Sequence, residues 1–308
     1  MYEQIARNKR RTILYLALFF LAWVAIGALI GAIVGAGSTS GAGGDVVAGI
    51  VIAALLALAG IAFTLTTGAG LVLSVSGAHP ADPQRYQQLH NIVEALAIGA
   101  GLPKPEVYVI DDPSPNAFAT GTSPRHAAIT ATTGLLETMD RSELEGVIGH
   151  EMSHIKNYDV RLILVVSTLI GMAGLLGSLL WRSSFYTRSR SRDGQQLLLI
   201  MLVAGTLLMI VAFIVGPIIK LALSRRRESL ADASGVELTR NPQGLIDALR
   251  KLQQNDRPFA KFNHATASMC IDDPLQHHAS AFDKLFSTHP PIEDRIAALE
   301  KIAQGQSL

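Results

Sequence analysis

The chain has 308 residues, 49% of them hydrophobic and 17% charged, with a mean hydropathy of +0.32, which is too apolar for an ordinary soluble enzyme. A formal net charge of +1 implies no broad attraction to nucleic acid. The single cysteine, Cys270, excludes an intramolecular disulfide and a cysteine-based zinc framework, and it fits a catalytic part facing a reducing cytosol.

Arg7, Lys9, Arg10 and Arg11 stand immediately before an apolar run from Thr12 to Ala36. Crossing a bilayer takes about 20 apolar residues, so this run is long enough. By the positive-inside rule the N-terminus is cytoplasmic. The rival reading is a signal peptide cleaved near Val34-Gly35-Ala36; the length of the run favours an uncleaved anchor. The loop from Gly37 to Asp45 has no Lys or Arg, as expected of an outer loop, and a second run extends from Val46 to Val75. Residues 77–159 are then expected on the cytoplasmic side.

From Asp82 to Gly99 the pattern is amphipathic, with Tyr86, Leu89, Ile92, Val93 and Leu96 at helical spacing, which predicts a core helix. Val107-Tyr108-Val109-Ile110 reads as a strand. Asn116-Ala117-Phe118-Ala119-Thr120-Gly121 lies between it and a further strand around Ala127 to Thr130. A hairpin with an open edge there would hold an extended peptide by strand addition; Asn and Gly also mark plain turns.

Ser142, with Glu145 three residues on, predicts a capping box at the start of a helix that carries Leu144, Val147, Ile148 and Ile155 on one face. That helix contains His150-Glu151-Met152-Ser153-His154. Positions i and i+4 share a helix face, so His150 and His154 are placed to grip one metal ion. Glu151 leaves the same turn at an angle that reaches a metal-bound water. Imidazole nitrogens suit zinc, and a catalytic zinc keeps three protein ligands and one water. The bland alternative is a solvated helix with two surface histidines.

A third run, Leu162 to Trp181, and a fourth, Leu197 to Ile219, contain no charged residue. The helix begun at Ser142 is expected to continue through Lys156 and Arg161 into the third run. Arg182, Arg188, Arg190 and Arg192 in the connecting loop conflict with an outer location. The alternative is a hairpin that does not fully cross. An antiparallel hairpin returns the chain to the level of His154, about 9 Å above the membrane end by helix rise. There Arg225-Arg226-Arg227 precede Glu228 and Asp232, which are i and i+4. Glu228 as third ligand would give a two-His, one-Glu zinc set. Asp232 would accept a proton from the free nitrogen of a ligand histidine. Otherwise the pair is a charged helix face.

Residues 242–256 and 290–303 read as further soluble helices. His289, held in a rigid turn by Pro290-Pro291, is a candidate to hydrogen-bond the oxyanion or orient Glu228. Arg295 is a candidate to pair with Asp232 or contact the oxyanion. The alternative is a satisfied surface histidine for His289 and, more commonly, a solvated helix charge for Arg295.

Taken together, Asn116 to Gly121, the His-Glu-x-x-His run, the Glu-x-x-x-Asp run after two hydrophobic spans, and Ser287-Thr288-His289-Pro290-Pro291 followed by Glu293-Asp294-Arg295-Ile296 resemble the HtpX-type membrane zinc metalloproteases, relatives of the CAAX prenyl endopeptidases. Ser268 stands where many relatives carry histidine. The resemblance implies a mainly α fold with about four transmembrane helices and a gluzincin-type metalloprotease domain carrying a small β-sheet. It implies one zinc per chain on His150, His154 and Glu228, Glu151 as the base, and substrate contacts at Asn116, Ala117, Phe118 and Ala119. The expected segments are an anchor (1–76), the first part of the catalytic domain (77–159), a transmembrane hairpin (160–223) and the second part of the catalytic domain (224–308). The expected function is zinc-dependent endopeptidase action on misfolded or unassembled membrane proteins, in quality control and stress response. Protein or peptide substrates and the lipid bilayer of the inner or plasma membrane are the partners. A specialised processing protease and a non-proteolytic zinc-binding scaffold are the alternatives.

Overall fold

The computed structural model describes residues 2–35, 42–186, 192–254, 270–271 and 290–306. Ser268, His289, Arg188 and Arg190 lie outside the described residues. Two compact units emerge from the chain. One holds residues 1–9, 67–164 and 220–308, the other residues 10–66 and 165–219.

Among the described residues four helices are long and apolar enough to cross a membrane: Glu3–Gly35, Gly43–Val75, Asp159–Phe185 and Gly194–Phe213. They belong to α1 (Tyr2–Gly35), α2 (Ala42–Val75), α6 (Asp159–Tyr186) and α7 (Arg192–Ile210). Inside the second unit, Ala173, Leu208 and Ala212 form a small core with Trp23 and Ile26 packed against it. Leu18, Leu21, Val47, Leu55 and Leu58 stay exposed, as expected of helices whose solvent is hydrocarbon rather than water. The fourth run is not one straight helix to Ile219. A π-helical stretch, Val211–Val215, separates α7 from α8 (Gly216–Thr239). Pro217 follows after Gly216, and its missing N–H interrupts the regular backbone ladder.

In the first unit, the order along the chain is β1 (His79–Pro80), α3 (Gln87–Ala100), β2 (Glu106–Ile110), β3 (Ala117–Ser123), β4 (His126–Thr132), α4 (Thr133–Thr138) and α5 (Arg141–Lys156), joined later by α8, α9 (Pro242–Gln253) and α10 (Ile292–Ala303). Helix α3 buries the predicted face, Leu89, Ile92, Val93 and Leu96. It starts five residues later than the pattern suggested. Asp82 instead uses its Oδ1 to accept from the N–H groups of Gln84 and Arg85, a side-chain turn that competes with helix.

The sheet order is β1-β2-β4-β3. β3 and β4 form the expected antiparallel hairpin, while β2 runs parallel to β4. Side chains alternate between two cores, as a pleated strand requires. Val107, Val109, Ala117, Ala119, Ile129 and Ala131 join the main core with α3, α5 and α9. Ile110, Phe118 and Ala128 face a second cluster with Val72, Leu73, Leu164 and Cys270. Gly121, at φ 146°, sits where the register shifts; a Cβ there would lie 2.3 Å from the His126 carbonyl oxygen. Only glycine fits.

Helix α5 is the centre of this unit, buried from Glu143 to Ile155 apart from the partly exposed Glu145. Its capping box is not Ser142 with Glu145 but Asp140 with Glu143. Asp140 Oδ1 accepts from Glu143 N at 2.9 Å, and Glu143 Oε2 accepts from Asp140 N at 2.7 Å and from Lys251 Nζ at 2.6 Å. Ser142 and Glu145 already lie within the helix; Ser142 Oγ accepts from Asn241 and Glu145 pairs with Arg141. Nor does α5 continue into the third run. The chain breaks at Asn157 and Tyr158, the latter left-handed at φ 61°. For a residue that is not glycine this conformation costs about 1–2 kcal/mol and has to be held by its surroundings.

Candidate metal centre and active site

His150 and His154, one turn apart on α5, point their Nε2 atoms at each other across 3.1 Å. Glu228, from α8, closes the third side: Oε2 is 3.5 Å from His150 Nε2 and Oε1 is 3.7 Å from His154 Nε2. One ligand atom from each residue lies within 4.8 Å of the other two, and all three residues are buried. Each ring is held from behind by a carboxylate. Asp232 Oδ1 lies 2.8 Å from His150 Nδ1, and Asp159 Oδ2 lies 3.2 Å from His154 Nδ1. With Nδ1–H donating to its carboxylate, each ring turns the lone pair of Nε2 inward. Two inward lone pairs and a carboxylate at this spacing repel unless a proton or a cation lies between them. The donor set therefore fits a metal ion.

Arg295, 2% exposed, reaches the same network from α10. Nε donates to Asp232 Oδ2 at 2.9 Å, Nη2 to Asp232 Oδ1 at 2.7 Å, and Nη1 to the Ile271 carbonyl at 3.0 Å. Of the two roles expected for Arg295, this geometry is that of the Asp232 partner. Burial opposes the charge on Arg295, and the adjoining carboxylate overrides it, holding the pKa well above its ordinary value. Asp232 shows the mirror image. Burial raises its pKa, but Arg295 and His150 outweigh this and bring it from 3.8 to about 2. Burial likewise disfavours a charged His150, yet its bonds to Asp232 and Glu228 lift its pKa from 6.5 to about 9. A metal must displace that proton, so metal affinity falls on acidification.

Glu151 is 1% exposed, and neither of its carboxylate oxygens has a hydrogen-bond partner. Burial is the largest influence and pushes its pKa up, while the two histidines pull it down. The Ala119 N–H faces Glu151 and also favours the charged form, short of a full hydrogen bond. A buried carboxylate that spends no bond on the protein is available to a reacting molecule.

The four substrate candidates are all buried. Asn116 Oδ1 accepts from Ala117 N, and the Phe118 side chain belongs to the second core. The strand edge at Ala117 and Phe118 is already paired: Ile271 N donates to Ala117 O at 3.0 Å, and Phe118 bridges Cys270 antiparallel. Backbone groups alternate direction along a strand, so the backbone groups of Ala119 and Gly121 point to the same side of β3 as those of Ala117.

Peptidase family M48 matches residues 83–303. The chain belongs to peptidase family M48. It is similar to the protease HtpX homologue of Levilactobacillus brevis, 44% identical over 307 residues, covering 98% of this chain and all of the relative. Its likeness to the Streptococcus pneumoniae (strain Hungary19A-6) protease HtpX homologue is 43% over 309 residues, with the same coverage. The crystal structure of S. mikatae Ste24p shares the fold at a TM-score of 0.50 and 19% identity, over 97% of this chain and 66% of that one. The M48 chain is thus an HtpX-type metalloprotease and a membrane protein.

Two residues of this peptidase's site escaped the sequence pattern: Asp159, behind His154, and Asn8, whose amide donates to Asp159 Oδ1 at 2.6 Å and to Asn157 O at 2.9 Å. The available signal was faint. Asn8 is the uncharged polar residue in a basic cluster, and Asp159 follows a helix-ending Asn.

Proposed function

We propose that this peptidase uses zinc, held by His150, His154 and Glu228, to hydrolyse peptide bonds of unfolded or unassembled proteins at the cytoplasmic face of the membrane. The observation that carries the reading is Glu151, buried and unbonded beside the three clustered ligand atoms. Bound zinc would supply Lewis acidity to the scissile carbonyl and lower the pKa of a water towards 7. Glu151 takes a proton from the attacking water as its oxygen bonds to the carbonyl carbon. It returns that proton to the amine as the C–N bond breaks. Its raised pKa suits both halves of this transfer. Asp232 and Asp159 keep the histidines in the ligating tautomer. The outward backbone groups of Ala119 and Gly121 hold the peptide extended.

Orientation follows from the N-terminus. Arg7, Lys9, Arg10 and Arg11 favour the cytoplasm, and Asn8 within that cluster is bonded to the catalytic unit through Asp159. That bond supports a catalytic unit on the side of the N-terminus. Cysteines introduced at 187–191 should label from outside intact cells; labelling from the cytoplasm alone would contradict four complete spans. The quality-control role is supported by the HtpX resemblance.

The reaction is tested with purified full-length protein in detergent, zinc and an unstructured protein substrate. Glu151→Gln should keep zinc and lose cleavage by about 10²–10⁴-fold or more, the usual worth of a general base. Cleavage at the wild-type rate would exclude the assigned mechanism.

A further inference from the structure

Asn8 and Lys9, in the first turns of α1 ahead of its apolar run from Thr12, close around the corner that follows the catalytic helix. Asn8 is 1% exposed. Its amide donates to Asp159 Oδ1 at 2.6 Å and to the Asn157 carbonyl at 2.9 Å. Both partners only accept, so the nitrogen of the amide must face them and the group has one orientation. The Lys9 ammonium stands 4.4 Å from the centroid of the Tyr158 ring. Tyr158 is the left-handed residue of the corner. The strained turn is thus held on both sides by consecutive residues of the N-terminal segment, and the turn is what brings the Asp159 carboxylate back to His154 Nδ1.

We propose that Asn8 is a positioning residue of the metal centre. It fixes Asp159, and Asp159 in turn holds His154 with Nε2 presented to the metal. The proposal rests on the zinc reading above and adds that the segment around Asn8 is a working part of the peptidase unit. The energetic reason is local. Asp159 is also 1% exposed, so an oxygen stripped of its donor there has no water to turn to. A carboxylate that rotates to find another donor takes the His154 ring with it. Nothing else in the pattern HExxH demands an asparagine near the start of the chain.

The test is a double-mutant cycle read as zinc affinity, by competition with a chromophoric chelator, on full-length protein in detergent. Thermal unfolding is recorded on the same samples. Asp159→Ala should weaken zinc binding by about 10–100-fold and Asn8→Ala by about tenfold, the range found for groups behind metal ligands. In the Asp159→Ala background, Asn8→Ala should add less than about twofold, because its route to the metal is already cut. If Asn8→Ala does not accumulate, Asn8→Leu fills the space without a donor and carries the same expectation. Unchanged zinc affinity with lowered stability overturns the proposal, as does an equal loss in both backgrounds. A wild-type protein that binds zinc and cleaves while Asn8 variants match it leaves the peptidase reading standing and removes this one. A wild type that binds no zinc removes both.

Discussion

Asp232 serves two partners with one carboxylate, and Asp232→Asn separates them. Oδ1 is shared between His150 Nδ1 at 2.8 Å and Arg295 Nη2 at 2.7 Å, and Oδ2 takes Arg295 Nε at 2.9 Å. Asparagine keeps the volume but removes the charge, and it turns one acceptor into an N–H₂ that faces another donor. Arg295, 2% exposed, is then a buried cation without its counter-ion. Breaking one side of such a pair costs about 3–5 kcal/mol, which for a unit of this size is a fall in Tm of about 10 °C. Adding Arg295→Met removes the stranded charge, so the double variant should recover most of the loss. Thermal unfolding of the metal-free proteins in detergent, followed by intrinsic fluorescence, measures all three. Asp232→Asn within about 1 kcal/mol of wild type would refute the reasoning, since a buried pair cannot be that cheap to break. So would a double variant less stable than Asp232→Asn alone.

Gly235 on α8 touches α5 backbone to backbone: a Cβ there would lie 3.0 Å from His150 N and 3.1 Å from Gly149 C. Gly235→Ala should leave stability within about 1 kcal/mol of wild type, helix propensity offsetting the crowding. Zinc affinity should nonetheless fall several-fold, because Glu228 and Asp232 ride on the displaced helix; chelator competition measures it, and unchanged affinity contradicts the coupling. The metal-free protein should also have a defined pH window. His150, lifted from 6.5 to about 9, contributes stability that is complete below about pH 6.5 and lost as pH rises through 9. Asp232, lowered from 3.8 to about 2, contributes stability present above about pH 4 and lost as pH falls through 2. Tm should therefore peak between about pH 4 and 6.5, and a peak above pH 8 would contradict the assigned charges.

What the sequence revealed tracks how local each signal is. His150, Glu151 and His154 are legible because i and i+4 on one helix must share a face. Glu228 and Asp232 are legible as a pair for the same reason, though only the fold brings α8 to α5. The helix start was displaced because two capping boxes overlap in the sequence, Asp140 with Glu143 and Ser142 with Glu145, and the earlier one wins. Asp159 was hidden because the helix was expected to run on through it, which would point position i+5 away from His154. The left-handed Tyr158 reverses that direction, and no periodic pattern announces a single such residue. Asn8 was hidden more deeply, since its partners are some 150 positions away. The parallel β2–β4 pairing went unread for a similar reason: strands this short show where they are, not which neighbour they choose.

In the proposed centre, two imidazoles and one carboxylate of this chain hold a catalytic zinc with a place left for water. X-ray absorption spectroscopy of the zinc-loaded, full-length protein tests it most directly. The expected spectrum has one zinc per chain, about four nitrogen or oxygen ligands near 2.0–2.1 Å, and scattering from two imidazoles. The same sample of Glu228→Ala should bind zinc weakly, and that of Glu151→Gln should look like wild type. A sulfur ligand near 2.3 Å, or zinc binding that survives Glu228→Ala unchanged, would contradict the account.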